Sequence, residues 1–161
     1  WLKIYSDQYD LIAIFDADQR PKNAFFDEVM QYFNDPEIAF VQTPQLYSEL
    51  ETEIGTASFW QQLPFLRITM RGREKSAFCL GSGTIFRTKA LEDIGGFNED
   101  TVTEDIATSI YLHSNGWKSV YSDRDLIWYG EPPKDLKAYL QQQARWSLGG
   151  FQVLPKLLKS N

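Results

Sequence analysis

This chain of 161 residues has almost no cysteine or histidine, no long apolar run and no large basic cluster. Cys79 and His113 are the only residues of their kinds, which excludes an internal disulfide and a Cys/His zinc site. A single cysteine fits a reducing compartment best. The longest apolar run, Leu11–Phe15, has five residues, far fewer than the roughly 18 that a membrane-spanning helix needs.

The charge balance of the chain is acidic. Sixteen Lys and Arg residues stand against 22 Asp and Glu residues, which gives a net charge of −6. The longest basic cluster is Arg71-Gly-Arg73, so the chain lacks the electrostatic surface of a nucleic-acid-binding protein. We therefore expect no nucleic acid partner. With 43% hydrophobic and 24% charged residues, the composition is that of one globular domain.

The order of apolar segments predicts one α/β unit. Tyr9–Phe15 is typical of a buried strand of a parallel sheet, Asn23–Phe33 of a helix, and Ile38–Gln42 of a second strand, which together form a βαβ unit. We expect three tryptophans, Trp60, Trp117 and Trp128, in the core. The later predicted elements are a helical segment at Thr52–Arg73 interrupted by Pro64, a strand at Thr84–Thr88, helices at Lys89–Ile94 and Val102–Ser114, a strand at Trp117–Tyr121, and a helix at Asp135–Leu148 ended by Gly149-Gly150.

Two aspartates, Asp16 and Asp18, directly follow the first predicted strand. Open α/β sheets bind their ligands at the carboxyl ends of strands. Residues two apart in an extended chain point to the same side, so both carboxylates can face one hard cation such as Mg²⁺ or Mn²⁺. The same acids could instead only solvate the turn before Pro21, and three residues do not decide between the two interpretations.

A second acidic pair, Glu104 and Asp105, follows Thr103 at the start of a predicted helix. Acids are common in the first turn of a helix because they offset its dipole. Alternatively, one of these carboxylates acts as a general base in a cleft that it shares with Asp16 and Asp18. Both interpretations remain open at the level of sequence.

Three functional side chains share one face of the last predicted helix. Gln142, Arg145 and Trp146 are three and four residues apart, a spacing that aligns them on a helix. An arginine fork can hold a phosphate, and an indole ring can stack on the C–H face of a sugar. The alternative is a solvent-facing arginine beside a core tryptophan.

Two further segments could border the same cleft. Gly81 and Ser82 lie where a glycine would let the backbone pass close to a ligand, although a plain tight turn explains them equally well. Gln42 and Thr43 end the second predicted strand, at the same edge of the sheet as the aspartate pair. Their polar side chains could line a cleft or form a turn.

The order of these motifs resembles that of the processive family 2 glycosyltransferases of the cellulose synthase type. The motifs are Asp-Ala-Asp, Gln-Thr-Pro, Phe-Cys-Leu-Gly-Ser-Gly, Gly-Gly-Phe, Thr-Glu-Asp and Gln-x-x-Arg-Trp. The resemblance implies a partial GT-A fold, that is, a Rossmann-like mixed sheet flanked by helices. Residues 1–161 would form its metal and acceptor side, without the N-terminal nucleotide-binding strands.

The resemblance also implies roles for residues. Asp16 and Asp18 would hold Mg²⁺ or Mn²⁺ on the diphosphate of a UDP-sugar, and Asp105 would be the general base. Trp146 would stack on the acceptor sugar, and Gln142 and Arg145 would contact the nucleotide diphosphate. The remaining residues implied to bind substrate are Thr103, Glu104, Gly81, Ser82, Gln42 and Thr43.

The implied reaction is inverting transfer of a sugar, UDP-glucose being the usual donor, to a growing β-linked polysaccharide. The intact protein would be embedded in the cell membrane with this domain on the cytoplasmic face. Leu80 stands between Cys79 and Gly81, unlike the Phe-Phe-Cys-Gly-Ser of cellulose synthases, which leaves the polymer open. Because the uridine-binding strands would be missing, we expect these residues alone to bind UDP-sugars weakly.

Other interpretations lead to different chemistry. The segment Leu11–Asp18 also resembles the strand and Asp-x-Asp of haloacid-dehalogenase-type phosphatases, although Gln19-Arg20-Pro21 follows it here. A non-catalytic glycan-binding or assembly module would keep the fold without turnover. An exposed sheet edge would favour a homodimer.

Overall fold

The computed structural model describes residues 5–48, 50–64, 75–124, 126 and 130–159. The strands are β1 (Leu11–Ile14), β2 (Ile38–Gln42), β3 (Thr84–Arg87) and β4 (Lys118–Tyr121). The helices are α1 (Phe25–Met30), α2 (Glu53–Pro64), α3 (Thr88–Asp93), α4 (Glu104–Ser114) and α5 (Leu136–Lys159). Two short 3-10 turns lie at Ser6–Gln8 and Gln31–Asn34.

The four described strands form one mixed sheet in the order β1-β3-β2-β4. β3 runs antiparallel to both β1 and β2, whereas β2 and β4 are parallel. The mixed sheet flanked by helices that the resemblance implied is therefore confirmed. β1 and β2 do run in the same direction, as a βαβ unit requires, but β3 lies between them.

The prediction that the first strand is buried in a parallel sheet is wrong. β1 pairs only with the antiparallel β3 among the described strands, and Ala13 on it is exposed. An apolar run of this length indicates a strand but does not identify its partners. β2 is instead the fully buried strand of the sheet.

Helices cover both faces of the sheet. On one face, Phe25 and Val29 of α1 pack with Ile38 and Ile85 of the strands. On the opposite face, a second cluster joins Phe40, Phe86, Leu91 and Leu112. Adjacent residues such as Ile85 and Phe86 belong to opposite clusters because strand side chains alternate.

Several helix boundaries differ from the sequence prediction. α4 begins at Glu104, two residues after the predicted start, and it ends as predicted before Gly116, whose φ of 86° suits a glycine. α2 covers the first half of the predicted Thr52–Arg73 segment, and positions 65–74 lie outside the described residues.

The predicted end of the last helix at Gly149-Gly150 is wrong, because α5 continues without interruption to Lys159. Gly149 is buried against Thr103, the residue that precedes α4. A Cβ atom at position 149 would lie 2.2 Å from Thr103 Oγ1, whereas at Gly150 it would meet nothing within 4 Å. Gly149 therefore permits a close approach of α5 to the start of α4.

The tryptophans also differ from expectation. Trp60 is exposed, so its assignment to the core is wrong, whereas Trp117 packs against the second cluster. Trp128 lies outside the described residues. No helix in the described part of the chain is both long and apolar enough to span a membrane.

Replacing Gly149 by alanine tests the close approach of the two helices. The added methyl group would overlap the Thr103 side chain, so we expect Gly149→Ala to lower the free energy of unfolding by about 1–3 kcal/mol. Gly150→Ala is the matched control, since it adds the same methyl group in open space and should gain up to about 1 kcal/mol in helix propensity. Urea unfolding measures both, and equal stabilisation by the two substitutions would contradict the packing argument.

Candidate active site

A cleft of about 230 Å³ lies at the sheet edge where β1, β2 and β4 end and β3 begins. The turn after β1, the loop before β3, the first turn of α4 and the middle of α5 contribute most of its lining, and the segment after β2, the end of α2 and Glu131 complete it. Ten of the twelve residues predicted from the sequence line this cleft, namely Asp16, Asp18, Gly81, Ser82, Thr103, Glu104, Asp105, Gln142, Arg145 and Trp146.

Asp16 and Asp18 occupy a turn that is hydrogen-bonded to two other parts of the chain. The Asp16 backbone N–H donates to Ser82 Oγ at 2.8 Å, and the Glu131 backbone N–H donates to Asp18 Oδ2 at 3.0 Å. Partial burial raises the pKa of Asp16, the charge of Asp18 raises it further, and Arg145 opposes both effects. The turn therefore holds negative charges close together at a fixed place.

This arrangement suits a divalent cation that takes its remaining ligands from a bound substrate and from water. No group of three or more metal-binding side chains converges in the described part of the chain. Mg²⁺ commonly takes one or two carboxylates from the protein and its other ligands from phosphate and water. Asp16 and Asp18 fit that donor set, because a cation would relieve the repulsion that raises the pKa of Asp16.

Asp105 lies in the first turn of α4 and is partly buried. Burial raises its pKa to about 6, and the charge of Glu104 adds to this effect, while the Ile106 N–H bond and Arg145 oppose it. The Ile106 N–H donates to Asp105 Oδ1 at 2.7 Å. A carboxylate whose pKa lies near neutrality is suited to accept a proton from a substrate.

The backbone at Gly81 passes close to Asp105. Gly81 has a φ of 85°, a conformation that favours glycine, and a Cβ atom there would lie 3.5 Å from Asp105 Oδ2. The same loop carries Ser82, which binds the Asp16 backbone. This loop thus connects the two acidic sites.

α5 supplies an arginine and a tryptophan to the cleft, Arg145 and Trp146. Arg145 is close enough to lower the pKa of both Asp16 and Asp105. Trp146 is partly exposed at the cleft wall, and Gln142 Nε2 donates to Tyr47 Oη at 3.3 Å. Arg145 is placed to offset negative charge on a ligand between the acids.

The structure places Gln42 and Thr43 beneath the cleft, where both are fully buried. The sequence interpretation that they line the cleft surface is therefore not met. The Gln42 amide Nε2 donates to the carbonyls of Thr43 and Ser82 at 2.9 and 3.0 Å. Its Oε1 accepts from Leu80 N–H and the Thr84 hydroxyl, both at 2.7 Å. Gln42 therefore positions the Leu80–Ser82 loop.

Sequence reasoning missed several residues that line the cleft. Tyr47, Gln62 and Glu131 belong to it, yet none of them lies in a short motif of functional residues. Gln45, which follows Thr43-Pro44, donates to the Leu80 and Ser82 carbonyls. The only sequence signal for Gln62 was a polar pair, Gln61-Gln62, in an otherwise apolar part of α2.

A second pocket of about 360 Å³ adjoins the cleft. The two cavities share six residues, namely Gln45, Gln62, Leu80, Thr103, Asp105 and Trp146. Asp16, Asp18 and Arg145 border only the first. Asp105 thus stands between a charged cavity and a largely uncharged one.

Comparison with known proteins identifies the family. Residues 11–160 match the family model described as Glycosyl transferase family group 2. The chain belongs to this glycosyltransferase family. That membership leaves the phosphatase interpretation without support and confirms the resemblance read from the motifs.

Two curated relatives of this glycosyltransferase chain make polysaccharides, as their names say. Over 150 residues it is 36% identical to a UDP-forming cellulose synthase catalytic subunit of Dictyostelium discoideum, covering 90% of this chain and 14% of that protein. Over 158 residues it is 30% identical to the probable glucomannan 4-beta-mannosyltransferase 7 of Oryza sativa subsp. japonica, covering 95% and 27%. The chain thus spans about a quarter or less of these relatives.

A solved structure shows the same fold. The mannosyltransferase PcManGT from Pyrobaculum calidifontis, in complex with GDP-Man and Mn²⁺, aligns with a TM-score of 0.69 and 19% identity. The alignment covers 98% of this chain and 42% of that protein. The glycosyltransferase chain therefore has a GT-A-type fold.

Removing the Gln42 amide tests its positioning role. Gln42→Met keeps a side chain of similar length but leaves buried groups at Leu80, Ser82 and Thr43 without their partner, so we expect a loss of roughly 3 kcal/mol or more in unfolding free energy. Gln31→Met is the control, because Gln31 is exposed and surface changes usually stay within about 0.5 kcal/mol. Similar stability of the two variants would show that the loop is held in another way.

The raised pKa of Asp105 predicts a pH-dependent cost in stability. The folded chain keeps this proton up to about pH 6, whereas the unfolded chain releases it near pH 4, so the free energy of unfolding falls as the pH rises through this interval. In Asp105→Asn the side chain is neutral throughout. Urea unfolding with a chelator present should therefore show this variant close to wild type at pH 4 and more stable by roughly 1–3 kcal/mol at pH 8. A difference that does not change with pH would contradict the assignment.

Proposed function

We propose that this domain transfers a sugar from a UDP-sugar, with UDP-glucose the first donor to test, to a growing β-linked polysaccharide. The observation that carries the proposal is the position of Asp105 between the charged cleft and the uncharged pocket. The cleft suits a nucleotide diphosphate that carries a divalent cation, and the pocket suits a neutral acceptor. A base at their boundary lies where transfer between them would occur.

Asp105 is the proposed general base of an inverting transfer. It takes the proton of the acceptor hydroxyl as that oxygen forms a bond to the anomeric carbon. The bond from this carbon to the donor phosphate breaks on the opposite face, and UDP leaves with the electron pair. Inversion follows because nucleophile and leaving group lie on opposite faces.

The leaving group gains negative charge, which the proposed donor site offsets. Arg145 provides a guanidinium on the diphosphate side, and Gln142 lies next to it on α5. Asp16 and Asp18 would hold Mg²⁺ or Mn²⁺, which supplies further positive charge to the diphosphate when bound. Trp146 offers its ring to the acceptor, while Gly81, Ser82, Thr103 and Glu104 line the cleft beside the proposed metal ligands and the base.

Membrane association is part of the proposal and rests on the resemblance to cellulose synthases. In the second half of α5, Leu148, Phe151 and Leu154 are exposed, and such apolar side chains on a helix suit the interface of a bilayer. We place the intact protein at the cytoplasmic face of the cell membrane. Self-association through the edge of β1, which pairs only with β3 among the described strands, remains a prediction.

The proposed base is tested by Asp105→Asn in the protein with its natural flanking sequence. Transfer from a UDP-sugar should fall at least about 10³-fold, since the amide cannot accept the proton, while UDP affinity should change little. In wild type, kcat/KM should rise with pH up to about 6 and then level off, because the base must be deprotonated. Equal loss of UDP binding and transfer would contradict this role. Glycan binding without any transfer by wild type would favour the non-catalytic module.

A further inference from the structure

The pocket beside Asp105 is lined by four glutamines. Gln45 follows β2, Gln61 and Gln62 end α2, and Gln143 lies on α5. Asp105 is the only charged side chain among the described residues that line this pocket. Gln61 is exposed and the other three side chains are half-buried, and amide atoms that are shielded from water are costly unless they are hydrogen-bonded.

Two of these amides are only partly satisfied. The Tyr139 hydroxyl donates to Gln61 Oε1 at 2.9 Å, and Gln61 Nε2 donates to Gln143 Oε1 at 3.3 Å. This relay occupies the Oε1 atom of Gln143 and leaves its Nε2 atom to pair with other groups. Within the described part of the chain, Gln143 Nε2 and Gln62 Oε1 are buried and have no hydrogen-bond partner.

Among the described residues, Thr103 Oγ1 lines the same pocket and is also buried without a hydrogen-bond partner. Together, the unpaired donor of Gln143 and the unpaired acceptor of Gln62 match the chemistry of a hydroxyl group. A hydroxyl both donates and accepts, whereas a phosphate or a cation satisfies only one of the two atoms. Apart from Thr103 and Asp105, the other walls are apolar or aromatic, namely Leu80, Ile106 and Trp146, which suits the C–H faces of a sugar ring. The pocket thus fits a neutral, polyhydroxylated ligand.

We propose that Gln62 and Gln143 are the specificity residues of the acceptor, binding hydroxyl groups of the sugar unit that presents its nucleophile to Asp105. This inference rests on the proposed function for the identity of the ligand. Gln143 borders only this pocket, whereas Gln62 borders the neighbouring cleft as well. Asp16, Asp18 and Arg145, which would hold the metal-bound diphosphate of the donor, line only the cleft. Gln61 is a positioning residue that holds Gln143 through the relay.

Glucose and mannose units differ in the orientation of one hydroxyl group. Two fixed amide atoms at the acceptor pocket can therefore distinguish them, since a site built to bond a hydroxyl discriminates strongly against a ligand that leaves the site unpaired. Gln62 and Gln143 would then decide which β-linked chain is extended. The preference itself is a measurable ratio of affinities.

The experiment measures the affinity of this chain for β-1,4-linked gluco- and manno-pentasaccharides by ligand-observed NMR, with no nucleotide present. Gln62→Leu and Gln143→Leu should each weaken binding of the preferred series about tenfold or more. Gln141→Leu is the control, because Gln141 lies on the same helix outside this pocket and should leave the affinity unchanged. Circular dichroism establishes that the variants fold.

Near-isosteric variants cover the case in which a leucine disturbs the fold. Gln143→Glu replaces the donor Nε2 by an acceptor oxygen and should weaken binding, whereas Gln62→Glu keeps an acceptor and should retain more of it. The inference is overturned if wild type binds neither oligosaccharide, or if both leucine variants bind as wild type does. If wild type transfers sugar and both leucine variants bind the acceptor as wild type does, this inference is overturned but the proposed function stands. Glutamine-dependent binding without transfer would instead refute the proposed function.

Discussion

Four hydrogen bonds to the buried amide of Gln42 hold the end of β2 and the Leu80–Ser82 loop at a fixed separation. The other parts of the cleft depend on that loop. Ser82 accepts the backbone N–H of Asp16, and Gly81 passes beside Asp105. A buried amide with all its hydrogen-bonding atoms paired is rigid because any displacement leaves polar groups unsatisfied. The two acidic sites are therefore positioned by one neutral side chain that does not reach the cleft surface.

A close helix contact completes the site from the other side. Gly149 lets α5 approach Thr103 so that Arg145 and Trp146 face the start of α4. The arrangement places one guanidinium, that of Arg145, among several carboxylates. Burial and neighbouring acids therefore raise the pKa values of Asp16 and Asp105, although Arg145 lowers both. The cleft has an excess of negative charge that a cationic or metal-bound ligand would reduce. Such an excess costs stability and is typical of functional sites.

Short motifs of functional residue types were the most predictable part of the site. Asp16 and Asp18, Glu104 and Asp105, and Arg145 with Trp146 all line the cleft, because acids at strand ends and aligned polar residues on helices are visible in local spacing. Gln42 shows the limit of this reasoning. A glutamine at the end of a strand can face a ligand or brace a loop, and only the burial of its side chain distinguishes the two. Gln143 carried no local signal that separated it from ordinary helical glutamines, and the only signal for Gln62 was the polar pair that it forms with Gln61.

The amino-acid sequence by itself determined the approximate positions of most strands and helices, the mixed α/β class through motif order, and most of the polar residues that line the cleft, because each depends on local periodicity or on residue type. Tertiary structure alone decided that β3 lies between β1 and β2, that α5 continues through Gly149, and that four glutamines meet beside Asp105. These features depend on contacts between residues distant in the chain. An apolar run does not specify its neighbouring strand, and a glycine has the same local preference whether it ends a helix or admits another segment.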